Sequence, residues 1–185
     1  MDGQGSQKHP VYFCFHQERD MQRARFVSAI SGSVDSNRFS DWTDESWQAA
    51  LESGEETLQH EMRRRLEGCS VTCLLIGERT FEKPWIGPML QFSHELGMGI
   101  LAIHVHGIPD ENGNMARKGA NPLGRLSYIG RDGGEYPFSS GYPTYDWDFA
   151  AGEKHLAEWI AESARRSAAS GEAWESTGEG TPDWK

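Results

Sequence analysis

Three short runs of uninterrupted apolar residues stand out along the chain: VYFCF at 11–15, VTCLLI at 71–76 and ILAIHV at 100–105. Lacking polar alternation, they suit strands covered on both faces, as in a parallel sheet. Segments of a different period separate them. Residues from about Arg19 to Ile30 predict a first helix. Leu58, Met62 and Leu66 recur every four residues after Ser53 and Glu56, whose spacing is that of a capping box. Glu61 and Arg65 stand one turn apart on the outer face, and Gly68 supplies a stop. A third helix is expected from about Pro88, a favoured first-turn residue, with Met89, Phe92 and Leu96 as its stripe and Gly97 at its end. A fourth runs from about Glu153 to Ala164, with Leu156, Trp159, Ile160 and Ala164 on one face. Strands alternating with helices predict an α/β sheet with right-handed crossovers.

The remainder divides by composition. Residues 1–9 are small and polar, and 167–185 are rich in Gly, Ser and Glu, so both are expected to be disordered, the second as an acidic tail. A single domain is expected over 10–166. Between Gly107 and Asp148 the turn signals PDENGN, KGANP and GRDGGEYP crowd together, which predicts short strands or functional loops.

Charge narrows the function classes. With 185 residues, a net charge of −10 and no basic stripe beyond RRR at 63–65, the chain does not read as a nucleic-acid binder. No apolar run approaches the ~20 residues of a membrane span, and the amino terminus has no signal-like apolar region. Cys14, Cys69 and Cys73 form no even framework and no Cys-x-x-Cys pair, which suits reduced thiols in the cytoplasm.

Candidate chemistry gathers after the first strand. FHQERD at 15–20 places His16, Gln17, Glu18 and Asp20 at a strand's carboxyl end, with Arg23 one turn on, where open parallel sheets bind ligands. An ordinary polar loop with acids near a helix amino end fits the same residues. Trp42, Trp47 and Trp85 fall at loop or helix-start positions, where an indole can stack on a planar ring or close over a core. His104 and His106 share one side of a strand end, but no third ligand stands at a metal-site spacing, so no metal is expected. Gly97-Met98-Gly99 precedes a strand instead of following one and reads as a helix stop.

Five blocks in order resemble the TIR-like domains of the Thoeris ThsB kind, bacterial relatives of Toll/interleukin-1 receptor domains that act in anti-phage defence. They are VYFCFHQERDMQRA, Trp47 with Gly54, GCSVTCLLIGERTFEKPWI, ILAIHVHGIPDENGNMARKGANPL and YDWDFAAGEKHLAEWI. The resemblance implies a flavodoxin-like, doubly wound three-layer α/β/α fold. It implies NAD⁺ as substrate or ligand, with no tightly bound cofactor. The family's chemistry is cleavage of the nicotinamide bond to form a cyclic or conjugated ADP-ribose signal, which activates an effector protein; association with like chains is a further implication. Phe15, His16, Gln17, Asp20, Arg23, Trp47 and Trp85 are the nucleotide-binding candidates that it points to. The family's glutamate, four residues after the tryptophan matched by Trp85, is here Met89. After Asp20 and Arg23 the family's Asn and Arg-Asn positions are replaced as well, by Arg25, Ser28 and Ala29. A methionine cannot accept hydrogen bonds from ribose hydroxyls as a carboxylate does. Three readings follow: an active enzyme with a substitute acid among Asp20, Asp41, Asp44 and Glu95; a nucleotide pocket without catalysis, in a binding or scaffold subunit; or a different ligand.

Overall fold

A computed structural model of the chain describes residues 9–32, 37–148 and 150–171, with side chains to 167. In order, the elements are β1 (Val11–Cys14), α1 (Gln17–Ile30), β2 (Arg38–Phe39), α2 (Asp44–Glu52), α3 (Glu55–Leu66), β3 (Val71–Ile76), α4 (Ile86–Glu95) and β4 (Gly99–His104). The hairpin strands β5 (Ser127–Ile129) and β6 (Glu135–Pro137) come next, then α5 (Phe138–Gly141), β7 (Thr144–Asp146) and α6 (Gly152–Gly171).

Five strands form a parallel sheet in the order β2-β1-β3-β4-β7. Every residue of β1, β3 and β4 is buried, so the uninterrupted apolar runs are the central strands. Within each strand the side chains alternate between two cores. Tyr12, Cys14, Leu74 and Ile76 meet α2, α3, α4 and Phe138 on one face. Val11, Phe13, Cys73 and Leu75 meet α1 and α6 on the other. The result is the three-layer α/β/α arrangement with a flavodoxin-like strand order.

Several boundaries differ from the pattern-based expectations. Ser53 and Glu56 do not form the capping box. Ser53 ends α2, and Gly54, at φ 97°, precedes α3 with no side-chain cap. The box is one element earlier, where Thr43 accepts from the Ser46 N–H and Ser46 Oγ accepts from the Thr43 N–H. Serine takes the third-residue role usually held by Glu or Gln. The third helix begins at Ile86, which leaves Pro88 inside its first turn, where a proline ring costs little. Helix α1 starts at Gln17, two residues before the expected Arg19.

At the carboxyl-terminal side, α6 runs through Gly171, so residues 167–171, assigned to a disordered tail by composition, are helical. The rest of that expected tail, 172–185, and residues 1–8 of the expected disordered amino terminus lie outside the described residues. The stretch 107–148 does carry short elements: the β5–β6 hairpin, α5 and the edge strand β7. No helix among the described residues is long and apolar enough to cross a membrane.

Candidate functional site at the carboxyl edge of the sheet

Strand β1 has β2 on one side and β3 on the other, so successive connections leave it toward opposite faces. In such sheets the ligand crevice opens beyond the carboxyl ends at this switch point. Phe15 and His16 leave β1 there, and α1 begins at Gln17.

Helix α1 turns two charged side chains inward. Asp20 and Arg23 are 2% and 4% exposed and pair at 3.0 Å. The Arg23 guanidinium also donates to the carbonyls of Ile108 at 2.7 Å and Asn114 at 3.3 Å, which ties the loop after β4 to α1. Asp20 Oδ2 has no hydrogen-bond partner among the described residues, nor does His16 Nδ1. Burial raises the Asp20 carboxyl above its ordinary value despite the adjacent Arg23, and burial together with Lys83 lowers the His16 imidazole.

Glycine makes the close packing possible. A Cβ on Gly77, just after β3, would stand 2.2 Å from Asp20 Oδ2. One on Gly119 would stand 1.9 Å from the Gly77 carbonyl oxygen. Hence the KGANP loop lies directly on the end of β3. Lys118 pairs with Asp146 at 2.9 Å and Asn121 donates to Thr144 at 2.9 Å, fixing that loop to β7.

The second half of the site surrounds α4. Trp85 precedes its first turn, and the Met89 N–H donates back to the Trp85 carbonyl at 2.9 Å. Met89 is wholly buried in the cluster that holds Trp42, Trp47 and Trp85. Trp47 and Trp85 are 4% and 1% exposed, so their rings are core surfaces here, not open stacking faces. Trp42 packs edge-on to Trp47 at 5.0 Å, with the Arg65 guanidinium 3.6 Å from a Trp42 ring centroid. Lys83 lies 5.2 Å from a Trp85 ring centroid. Two indole N–H groups in this cluster, Trp42 Nε1 and Trp85 Nε1, have no partner among the described residues, and the Tyr12 and Ser40 hydroxyls lie close to each other beside them.

The candidate substitute acids are placed as follows. Asp20 is held by Arg23. Asp41 pairs with Arg65 at 2.6 Å and Asp44 with Lys83 at 2.9 Å. Glu95 lies in the last turn of α4, which leads into the amino end of β4, so it faces the opposite edge of the sheet from Trp85. Half-burial raises its carboxyl above the ordinary value. The structure therefore gathers Phe15, His16, Gln17, Asp20 and Arg23 at one strand end, puts Asp41, Asp44, Trp47 and Trp85 on the neighbouring elements, and leaves Glu95 apart.

Four contributors escaped the sequence reading. Arg65 was read as part of a solvated helix face, yet its side chain is 9% exposed. Lys83, Gly77 and Gly119 carry no periodic signal, although Lys83 stands in the Pro-marked turn beside Trp85. His104 and His106 have ring centroids 6.0 Å apart, and among the described residues no three His, Cys, Asp or Glu side chains converge as a metal site.

A family model described as "Thoeris protein ThsB, TIR-like domain" matches residues 12–110, from the second residue of β1 to the loop clamped by Arg23. The chain belongs to this family. A relative from Bacillus cereus (strain MSX-D12), named "Putative cyclic ADP-D-ribose synthase ThsB1", is 35% identical over 82 residues. That alignment covers 44% of this chain and 43% of the relative, so the chain matches under half of the relative's length. The matched region runs from within β1 through β4 and contains every site residue expected from the sequence, while Lys118, Gly119 and Asn121 of the loop over β3 lie beyond it.

Proposed function

We propose that this ThsB-type TIR-like protein acts in anti-phage defence signalling as a binder of NAD⁺ or an ADP-ribose-type nucleotide, and that it does not cleave the nicotinamide bond. The observation that carries this reading is that Met89 is fully buried among apolar and aromatic side chains, where the resemblance to the family implies a glutamate. A departing nicotinamide leaves an oxocarbenium-like ribose that needs a nearby carboxylate, and a thioether offers neither charge nor a strong acceptor. The alternative acids do not fill the gap. Asp20, Asp41 and Asp44 each pair with a cation, and Glu95 lies toward the other edge of the sheet.

Binding is supported by the polar groups retained at the switch point. Asp20 Oδ2 and His16 Nδ1 are buried acceptors or donors without partners among the described residues, beside a loop held close by Gly77 and Gly119. Such groups are costly unless something satisfies them, and ribose hydroxyls are suited to do so. The name of the Bacillus cereus relative supports a nucleotide of the cyclic ADP-ribose class. A protein effector that responds to the same nucleotide, or an active relative of this fold, is the partner class that follows. A cytoplasmic site of action is part of the proposal.

The test is direct. Purified protein at high concentration is incubated with NAD⁺ while nicotinamide is followed by chromatography, and thermal unfolding is measured with NAD⁺, ADP-ribose and cyclic ADP-ribose. No nicotinamide release is expected, together with stabilisation by at least one nucleotide of about 2.7 kcal/mol at a hundredfold excess over its Kd. Turnover would restore the enzyme reading. Neither turnover nor stabilisation by any of the three would remove the nucleotide reading altogether.

A further inference from the structure

Two helices begin at the carboxyl edge of the sheet, one on each side of the crevice between β1 and β3. Helix α1, of 14 residues, follows β1 on the face shared with α6, and α4, of 10 residues, follows β3 on the other face. Each brings a partial positive charge and backbone donors to that edge. Neither amino end is closed by a side chain: His16 before α1 and Trp85 before α4 make no capping hydrogen bond. No acid stands in the first turn of α4. In α1 the Asp20 carboxylate turns inward to Arg23, and Glu18 is exposed.

Two side chains complete this edge. His16 is 5% exposed, and its Nδ1 has no partner among the described residues. As the residue just before α1, it holds that nitrogen at the helix end. Burial, and then the charge of Lys83, disfavours protonation of the imidazole, so the two side chains are neighbours. A neutral imidazole still donates one hydrogen bond, and an ammonium up to three. The Lys83 side chain is 12% exposed and is met at 2.9 Å by Asp44, whose own side chain is 60% exposed. A largely buried cation is thus answered by a carboxylate that reaches it from the surface, and such a bridge is weak. Glu82, beside Lys83 in sequence, is held by Arg79 at 2.6 Å.

We propose that the diphosphate of the nucleotide binds between the amino ends of α1 and α4, on His16 and Lys83, and that Asp44 is the internal carboxylate it displaces. It rests on the nucleotide reading above for the source of the phosphate, and it leaves Asp20 to the ribose hydroxyls. His16 Nδ1–H and the first N–H groups of α1 donate to phosphate oxygens, and Lys83 supplies the charge. Asp44 opens α2, so its release on binding couples the phosphate to the start of that helix.

The experiment is isothermal titration calorimetry of the full chain with inorganic pyrophosphate, ADP-ribose and adenosine at low salt. Pyrophosphate and ADP-ribose are expected to bind. Lys83→Gln weakens both about ten- to a hundredfold, the range for hydrogen bonds to a charged group, and Lys83→Arg keeps most of the affinity. Asp44→Asn tightens both about threefold by removing a competing surface bridge, and Glu45→Gln, at the next exposed acid, does so less. Adenosine, which has no phosphate, responds to none of these changes. Equal pyrophosphate affinity in wild type and Lys83→Gln overturns the proposal. So does an absence of pyrophosphate binding, or a gain from Asp44→Asn no larger than that from Glu45→Gln. Asp44 is largely exposed, so its variant keeps the test decisive where Lys83→Gln fails to fold. Nucleotide binding that ignores Lys83→Gln removes the phosphate site alone. Pyrophosphate binding with the expected variant responses, but with no nucleotide bound, removes the nucleotide reading alone and leaves the site to a free phosphate.

Discussion

Met89→Glu, which places a carboxylate where the proposed correspondence with the family expects one, tests how apolar the surroundings of position 89 are. Position 89 is fully buried and its neighbours are chiefly apolar. A carboxyl group placed there and left unsolvated has its pKa raised from about 4.3 to roughly 8. At pH 7 the folded protein would hold a proton that the unfolded chain has released. The cost of that proton is about 1.36 kcal/mol for each of some 2.7 pH units, or about 3.7 kcal/mol. The sign follows from proton counts. The folded state binds more protons, so stability falls as pH rises, by about 1.4 kcal/mol per unit between the unfolded and folded values. Below pH 4 the penalty is absent. Met89→Gln, of similar length and without charge, removes the titration and keeps the polarity. The assay is urea unfolding of wild type, Met89→Glu and Met89→Gln from pH 4.5 to 7.5, read as the difference of each variant from wild type. A sloping Met89→Glu difference beside a flat Met89→Gln difference is expected. The reasoning fails if Met89→Glu is as flat as Met89→Gln. Trp42 Nε1 and Trp85 Nε1, which have no partner among the described residues, would then be donors arranged for an anion at position 89.

Other outcomes follow from the same contacts. Arg23→Ala leaves Asp20 buried without its cation and frees the carbonyls of Ile108 and Asn114, so a loss of about 3–5 kcal/mol is expected, with hydrogen exchange quickening at 108–114. Gly119→Ala drives a Cβ into the Gly77 carbonyl and is expected to lower Tm by several degrees, a larger drop than at Gly124, where nothing stands within 4 Å of an added Cβ. Thiol labelling at pH 8 is expected to reach half-buried Cys69 slowly, its thiol pushed up to about 11, and to leave Cys14, pushed up to about 12, and Cys73 untouched until the protein unfolds.

The parts of the fold legible in the sequence were those whose burial is set by a strong local period. β1, β3 and β4 are apolar on both faces, and α3, α4 and α6 carry apolar residues at helical spacing, so each shows its environment directly. Helix α2 was missed because only Trp47 and Ala50 are buried in it and because its capping box uses Ser46 where Glu or Gln is the recognised signal. β2 and β7 have two and three residues and take their place from partners in β1 and β4, not from any pattern of their own. The site divides in the same way. Residues that leave a buried strand, such as His16 and Asp20, can be located from the strand. The ion pairs Asp41–Arg65 and Asp44–Lys83 join residues 24 and 39 positions apart, and such pairing is decided by tertiary packing.

Those two ion pairs bear on how the aromatic cluster around Met89 could open. Asp41 lies in the short segment between β2 and α2 and Asp44 opens α2, and both cations lie over indoles of the buried cluster, Arg65 on Trp42 and Lys83 near Trp85. Each pair therefore ties the 41–44 segment across the aromatic cluster. Asp41 and Asp44 are largely exposed, so each bridge contributes little alone, and salt weakens it. The indoles beneath are almost fully buried and keep the segment in place when the charges are screened. Lys83→Ala is thus expected to leave global unfolding within about 1 kcal/mol of wild type while hydrogen exchange at 41–46 quickens. If exchange there is unchanged, the aromatic packing alone holds the segment, and ligand entry would require the movement of Trp42 or Trp85 itself.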